Sequence, residues 1–272
     1  MREEKDLVFD VGAHVGDDSD FYLKLGFRVV AVEANPSLTA RLKERFAAEI
    51  HSGRYVLVDK AIGTGHEPIR FFVNRKTSVW GTADPTWALR NQRLGAESDE
   101  ISVSSVPFSD LLQTYGCPYY LKIDIQGADM LCVMALKSAD CSPTYISIAS
   151  SKTSWRDLLK EFDALESLGY TRFKVVNQST HKSGRFRTRN GAQVAHAFEA
   201  GASGPFGDNL AGEWLTRNRA IMRYVPIFMM YKTMGDNTFV DRHASTVRRI
   251  PILEGLMGRV SWYDTHATRA PG

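Results

Sequence analysis

The sequence predicts an α/β fold: a doubly wound, mostly parallel sheet covered by helices on both faces. Three observations predict it. Short apolar runs alternate with amphipathic segments through the first two thirds of the chain. Three successive strand candidates end in an acid, at Asp10, Glu33 and Asp59. A further one, "YYLKIDIQG", carries Lys122 and Asp124 in a strand that such a sheet would bury on both faces.

Each element follows from local signals. "LVFDV" (7–11) is a continuous apolar run closed by Gly12 and reads as a buried strand. Residues 17–25 form a helix with acids at its start and Gly26 as its stop. "FRVVAVEA" (27–34) is the second strand. Pro36 suits the first turn of a helix running to about Ile50, with Leu38, Leu42 and Phe46 on one face. "RYVLVDKAIG" (54–63) reads as a third strand ending in a turn, with Asp59 at the strand's end before "KAIG". Two period-2 segments, "PIRFFVN" and "EISVSSVP", flank a helix-prone stretch at 84–96. Helices at 108–115, 129–137 and 155–168 then separate strands at 118–127, 144–150 and 171–177.

After Asn177 the pattern changes. "QSTHKSGRFRTRNG" is polar, basic and glycine-containing and reads as a loop. "GASGPFGDNLAGEW" reads as a lid or acceptor loop anchored by Phe206, and a helix is expected from Glu213 to about Lys232. The tail through "SWYDTHATRAPG" shows no periodicity. The expected organisation is a core at 1–177 and a C-terminal extension at 178–272 that packs on it, with contacts to an acceptor or a second copy of the chain.

Composition bounds the partners. The 272 residues are 43% hydrophobic and 24% charged, with net charge +3. That balance argues against nucleic acid as a partner, and no apolar run has the length of a membrane span. Cys117, Cys132 and Cys141 show no C-x-x-C spacing, so reduced thiols in a cytoplasmic protein are expected, without disulfide or metal site.

"DVGAHVG" places Asp10 before Gly12 and Gly16 at a strand-to-helix junction. This is not the G-x-G-x-x-G of nicotinamide-binding turns, where bare amides serve a pyrophosphate. An acid in the turn suits a ligand with an amino group or hydroxyls and no phosphate, such as S-adenosylmethionine. Glu33 stands where an open α/β sheet puts the acid that bonds ribose, and Asp59 is placed to meet an adenine amino group.

"FDVGAHVGDDSDFY", "VVAVEANP", "LVDKAIG" and "YYLKIDIQGAD", in that order, resemble the FkbM family of S-adenosylmethionine-dependent methyltransferases. "SGPFGDNLAGEWL" and "WYDTHA" also look like a C-terminal segment of some members. The resemblance implies a Rossmann-like class I methyltransferase fold. It implies Asp10, Gly12, Ala13 and Gly16 near the methionine moiety, Glu33 and Ala34 at the ribose, Asp59 and Ala61 near the adenine, and Asp124 beside the transferred methyl. The activity implied is O-methylation of sugars or natural-product-like small molecules. Two departures concern the acceptor pocket: Gln126 replaces the family's usual Glu, and "YISIASSKTS" lacks a Glu and a His often found there.

A hydroxyl acceptor needs a base. The candidates are Asp124, His266 in "WYDTHA", and less directly Lys122 or His14. A divalent metal at Asp124 would have only Gln126 and Asp129 as nearby partners, so none is expected. The competing readings are an NAD-dependent oxidoreductase and a catalytically silent nucleotide-binding module of the same fold.

Overall fold

The computed structural model describes residues 1–151, 153–180, 183–199, 201–234 and 262–269. The chain opens with β1 (Glu3–Val11), α1 (Asp17–Lys24), β2 (Arg28–Val32), α2 (Pro36–Arg45), α3 (Ala47–His51) and β3 (Tyr55–Val58). Next come β4 (Ala61–Gly63), β5 (Ile69–Asn74), α4 (Pro85–Arg93), β6 (Ser98–Val103), β7 (Ser105–Pro107) and α5 (Phe108–Tyr115). They are followed by β8 (Cys117–Ile123), α6 (Asp129–Ser138), β9 (Tyr145–Ala149), α7 (Trp155–Ser167) and β10 (Arg172–Asn177). The described chain ends with β11 (Gly184–Arg187), β12 (Gln193–His196), α8 (Arg217–Met234) and β13 (Tyr263–Thr268).

The central sheet has seven strands in the order β10-β13-β9-β8-β1-β2-β3. From β9 through β3 every pairing is parallel, and β13 lies antiparallel to both its neighbours. The predicted α/β class and doubly wound sheet are therefore observed. β1 shows why its sequence is continuously apolar. Leu7, Phe9 and Val11 face the core formed with α5, α6, α7 and α8, while Val8 faces the opposite core with α1 and α2. Phe9 meets Phe108 edge-to-face at 5.8 Å between ring centres.

Helix ends follow local chemistry. Gly16 caps α1 with φ +87°, and Asp17, Asp18 and Asp20 occupy its first turn, where the helix dipole favours negative charge. The Asn35 side chain accepts from the Ser37 amide ahead of α2, with Pro36 at its first position. Ser154 does the same for the Asp157 amide of α7.

Three expectations need correction. The segment at 54–63 is not one strand: β3 stops at Val58, and β4 leaves the central sheet to pair with β7. The basic stretch after Asn177 is not all loop, because β11 and β12 form an antiparallel hairpin; His181 and Lys182 lie outside the described residues. The region beyond Asn177 is also not an accessory to a finished core. Its β13 fills the gap between β9 and β10, and Phe206 stacks on Tyr120 at 3.9 Å between ring centres. Burial of a phenylalanine of this kind is worth roughly 1.5–3 kcal/mol.

The cysteines also depart from expectation. Cys117, at the start of β8, and Cys141, after α6, form a disulfide, and Cys132 is a buried free thiol. Spacing along the chain concealed the pair, since only the fold brings position 141 back beside 117. No helix among the described residues is long and apolar enough to cross a membrane.

Candidate active site

The carboxyl ends of β1, β2, β8 and β9 open on one cleft of about 620 Å³, with β4 at its edge and Tyr263 of β13 in its wall. Open parallel sheets bind ligands at this end of their strands. Six of the nine residues expected around the cofactor line the cleft: Gly12, Ala13, Glu33, Ala34, Ala61 and Asp124.

The turn after β1 is shaped for close approach. Gly12 has φ +89°, and a Cβ there would drive into the Asp124 carbonyl. The amides of Gly12 and Ala13 both donate to Val32 O, at 2.9 and 3.0 Å, which ties the turn to the end of β2. Glu33 follows Val32 directly. Its Oε2 accepts from the His14 amide at 2.9 Å and its Oε1 from the Asn35 amide at 2.8 Å, so the carboxylate is held in one orientation. Burial raises its pKa, against the opposing pull of those two amides.

Asp10 and Gly16 do not line the cleft. Asp10 lies beneath it, fully buried, accepting from Ser19 Oγ at 2.6 Å and from Lys122 Nζ at 2.9 Å. Lys122 also donates to Gly12 O at 2.8 Å and lies 3.6 Å from Asp18. Burial alone would discharge this lysine, but Asp10, Asp18 and Asp124 outweigh it and raise its pKa. Lys122 touches the cleft as a fixed cation, so it is not a base. Gly16 serves packing, since a Cβ would meet the Phe46 and Leu42 side chains at 2.5 and 2.7 Å.

Asp59 points the other way. It is half exposed and pairs with Lys43 on α2 at 2.8 Å, while its neighbours Lys60, Ala61 and Ile62 face the cleft. The break between β3 and β4 turns it outward. His266 is likewise displaced. It is 2% exposed, in the middle of β13 opposite Ser147 and Lys174, and absent from the cleft wall. Because β13 runs antiparallel, its first residues reach the cleft and each later one lies deeper in the sheet.

At the far end, Asp124 follows the last residue of β8. Gln126 has φ +51° and donates from Nε2 to Asp124 Oδ1 at 3.1 Å. The Gln that departs from the family pattern thus steadies this aspartate, where a Glu would repel it. Asp129 accepts from the Ile125 and Gly127 amides at 3.1 and 3.0 Å and fixes the turn, with its pKa pushed up to about 6 by burial and by Asp124.

Sequence reasoning missed Glu161. It lines the cleft from α7, with Oε1 accepting from the Ser151 amide at 3.1 Å and Oε2 without a hydrogen-bond partner. Burial pushes its pKa up to about 7, opposed by the Ser151 amide and reinforced by Asp129. One signal was available: Glu161 lies three residues after Leu158 and four before Leu165, on the flank of the buried face of the helix.

Solved structures of similar shape include an FkbM methyltransferase from Methylobacillus flagellatus KT, 16% identical, with TM-score 0.44 over 65% of this chain and 41% of that one. This chain therefore spans less than half of that structure. Precorrin-6y C5,15-methyltransferase from Geobacter metallireducens GS-15 is 12% identical, with TM-score 0.36 over 72% of this chain and 77% of the other. Phosphoethanolamine N-methyltransferase 2 from Haemonchus contortus, in complex with S-adenosyl-L-methionine, is 10% identical, with TM-score 0.36 over 100% of this chain and 50% of the other. No curated protein matches the sequence. The sequence signature of the methyltransferase FkbM domain matches residues 10–172, more than half of the chain. The chain belongs to the FkbM methyltransferase family.

Proposed function

We propose that this methyltransferase transfers its methyl group to a hydroxyl of a sugar or natural-product-like small molecule, free or held on a carrier. The observation that carries the proposal is a pair of carboxylates in the cleft wall, Asp124 after β8 and Glu161 on α7. A hydroxyl gives up its proton only to a base, and a carboxylic acid titrating near 7 is matched to that task.

S-adenosylmethionine supplies an electrophilic methyl carbon on a sulfonium. The residues of the chain do the rest. The bare turn at Gly12 admits the donor close to the backbone, and Glu33 offers its remaining lone pairs to ribose hydroxyls. Asp124, steadied by Gln126, stands beside the transfer point. Glu161 accepts the acceptor's proton as the new C–O bond forms and the C–S bond breaks, leaving a methyl ether and S-adenosylhomocysteine. The cleft walls hold the reacting atoms in line.

A cytoplasmic place of work belongs to the same proposal. One observation stands against it: oxidising compartments favour disulfides such as Cys117–Cys141. Calorimetric titration with S-adenosylhomocysteine, with NADH in parallel, tests the cofactor side. Labelled methyl transfer to a panel of hydroxylated acceptors, compared with amines, tests the substrate side. Binding of NADH alone, or transfer only to amines, would overturn the reading.

A further inference from the structure

Residues 75–97, between β5 and β6, leave their hairpin as a short 3-10 turn (Ser78–Trp80) followed by α4, and they form one wall of the cleft. Asn74 closes the neck of this excursion. Its Oδ1 accepts from the Lys76 and Thr77 amides at 3.0 Å each, and its Nδ2 donates to Ala96 O at 3.1 Å. Ser78, Val79, Asp84 and Trp87 then contribute to the cleft wall.

Among the described residues, polar contacts hold the excursion down on three sides, one of them from Arg90 Nη2 to Tyr231 Oη of α8 at 2.9 Å. On the β8 side, Thr82 Oγ1 donates to Gln126 O at 2.7 Å, and Trp87 packs so tightly on Gly127 that a Cβ there would lie 2.6 Å from the indole. On the cofactor side, Ser78 Oγ and His14 Nε2 lie 2.7 Å apart. His14 is unusual in its backbone. It has φ +51°, a left-handed conformation that costs a residue with a side chain, and its amide holds Glu33. The residue whose amide orients Glu33 is therefore also the one that reaches the excursion.

We propose that residues 75–97 form a strap over the cofactor, and that the His14–Ser78 pair is its latch. His14 is a positioning residue: it ties closure of the strap to the turn that receives the donor. The latch is exposed, whereas the Thr82–Gln126 and Arg90–Tyr231 contacts are part-buried, so it is the one that opens for cofactor exchange. The proposal rests on the S-adenosylmethionine reading of the cleft.

The test needs no acceptor. Dissociation of S-adenosylhomocysteine is followed by stopped flow, and amide exchange across 75–97 is compared with and without it. His14→Asn preserves a residue that tolerates the left-handed turn but removes the reach to Ser78. Ser78→Ala removes the partner on an exposed turn. Each variant should speed dissociation roughly three- to tenfold, the scale of one lost hydrogen bond, and the double variant no further. Each should also abolish the added protection of strap amides on binding. Additive effects, or unchanged dissociation and protection in both variants, would overturn the latch alone. Failure of the unmodified protein to bind S-adenosylhomocysteine would overturn the cofactor reading and the latch with it.

Discussion

Lys122 Nζ lies 2.9 Å from Asp10 Oδ1 and 3.6 Å from Asp18 Oδ2, so two buried carboxyls share one buried cation beneath the cofactor turn. Asp10 and Lys122 are register partners on β1 and β8. Asp18 carries the arrangement outward by accepting from the Ser203 and Gly204 amides at 2.9 and 3.0 Å. The group thereby joins two central strands, the start of α1 and the segment that brings Phe206 into the core.

Lys122→Met should therefore act on stability before it acts on chemistry. It leaves Asp10 and Asp18 buried without their cation, a loss that typically costs about 3–5 kcal/mol. Urea denaturation at pH 7 reads the effect directly. A midpoint equal to that of the unmodified protein would show that the network does not hold the fold together.

Glu33 and Asp59 separate the two acids that strand-end reasoning treated alike. Glu33→Ala should weaken S-adenosylhomocysteine binding by about 1.5–3 kcal/mol for each charge-assisted bond lost. Asp59→Asn removes an exposed pair with Lys43 and should leave affinity unchanged, with stability altered by less than about 1 kcal/mol. Calorimetry on both variants checks the contrast, and equal losses would return Asp59 to the site.

The glycines divide in the same way. Gly12→Ala pushes a methyl group into the Asp124 carbonyl inside the cleft and should abolish cofactor binding. Gly16→Ala crowds Phe46 and Leu42 outside the cleft, and it should lower the melting temperature while the residual folded protein still binds. Thermal shift with and without S-adenosylhomocysteine distinguishes them.

The legible parts of this chain were those where burial leaves a pattern. Leu7–Val11 of β1, β2 and β8 are largely apolar apart from the buried Asp10–Lys122 pair and run into glycine or an acid, so the cleft at their ends could be read directly. Asp59 does follow the end of β3, but nothing in "YVLVDKAIG" shows that its side chain turns outward to Lys43. β13 was invisible for the opposite reason. "YDTHAT" looks like a polar tail, yet Asp264, Thr265, His266 and Thr268 are all buried in the sheet. Their polarity is answered by partners distant in sequence: Gln178 Nε2 donates to Asp264 Oδ1 at 2.7 Å, and Ser150 Oγ donates to Thr265 Oγ1 at 2.7 Å. Glu161 escaped notice because a carboxylate beside an apolar stripe is common on surface helices, and only the fold brings the cleft to it.

The disulfide gives a prediction about the opposite end of the sheet. Cys117 and Cys141 are 24 residues apart, and closing a loop of that length stabilises a fold by about 3 kcal/mol in the chain-entropy account. Denaturation with and without a reducing agent should show a loss of that order. Affinity for S-adenosylhomocysteine should stay the same under conditions where the reduced protein remains folded, because Cys117 begins the strand whose other end meets the cleft. Alkylation of two further thiols after reduction confirms that the bond was present.

Glu161 makes the last prediction, because its pH dependence has a definite sign. Folding raises its pKa from the ordinary 4.5 to about 7, mainly through burial. Between those values the native state binds more protons than the unfolded chain, so stability contributed by this group falls as pH rises and is fully lost above about 7. Glu161→Gln removes the titration. The variant should be more stable than the unmodified protein at pH 8, by about 1–3 kcal/mol, and nearly equal to it at pH 4.5. Cofactor affinity should not change, whereas methyl transfer to a hydroxyl should collapse if Glu161 takes the proton. In the unmodified enzyme that transfer should rise through about pH 7 as the carboxylate forms. A variant that gains stability at pH 8 and still transfers methyl groups at full rate would leave Glu161 as a buried acid and pass the role of base to Asp124.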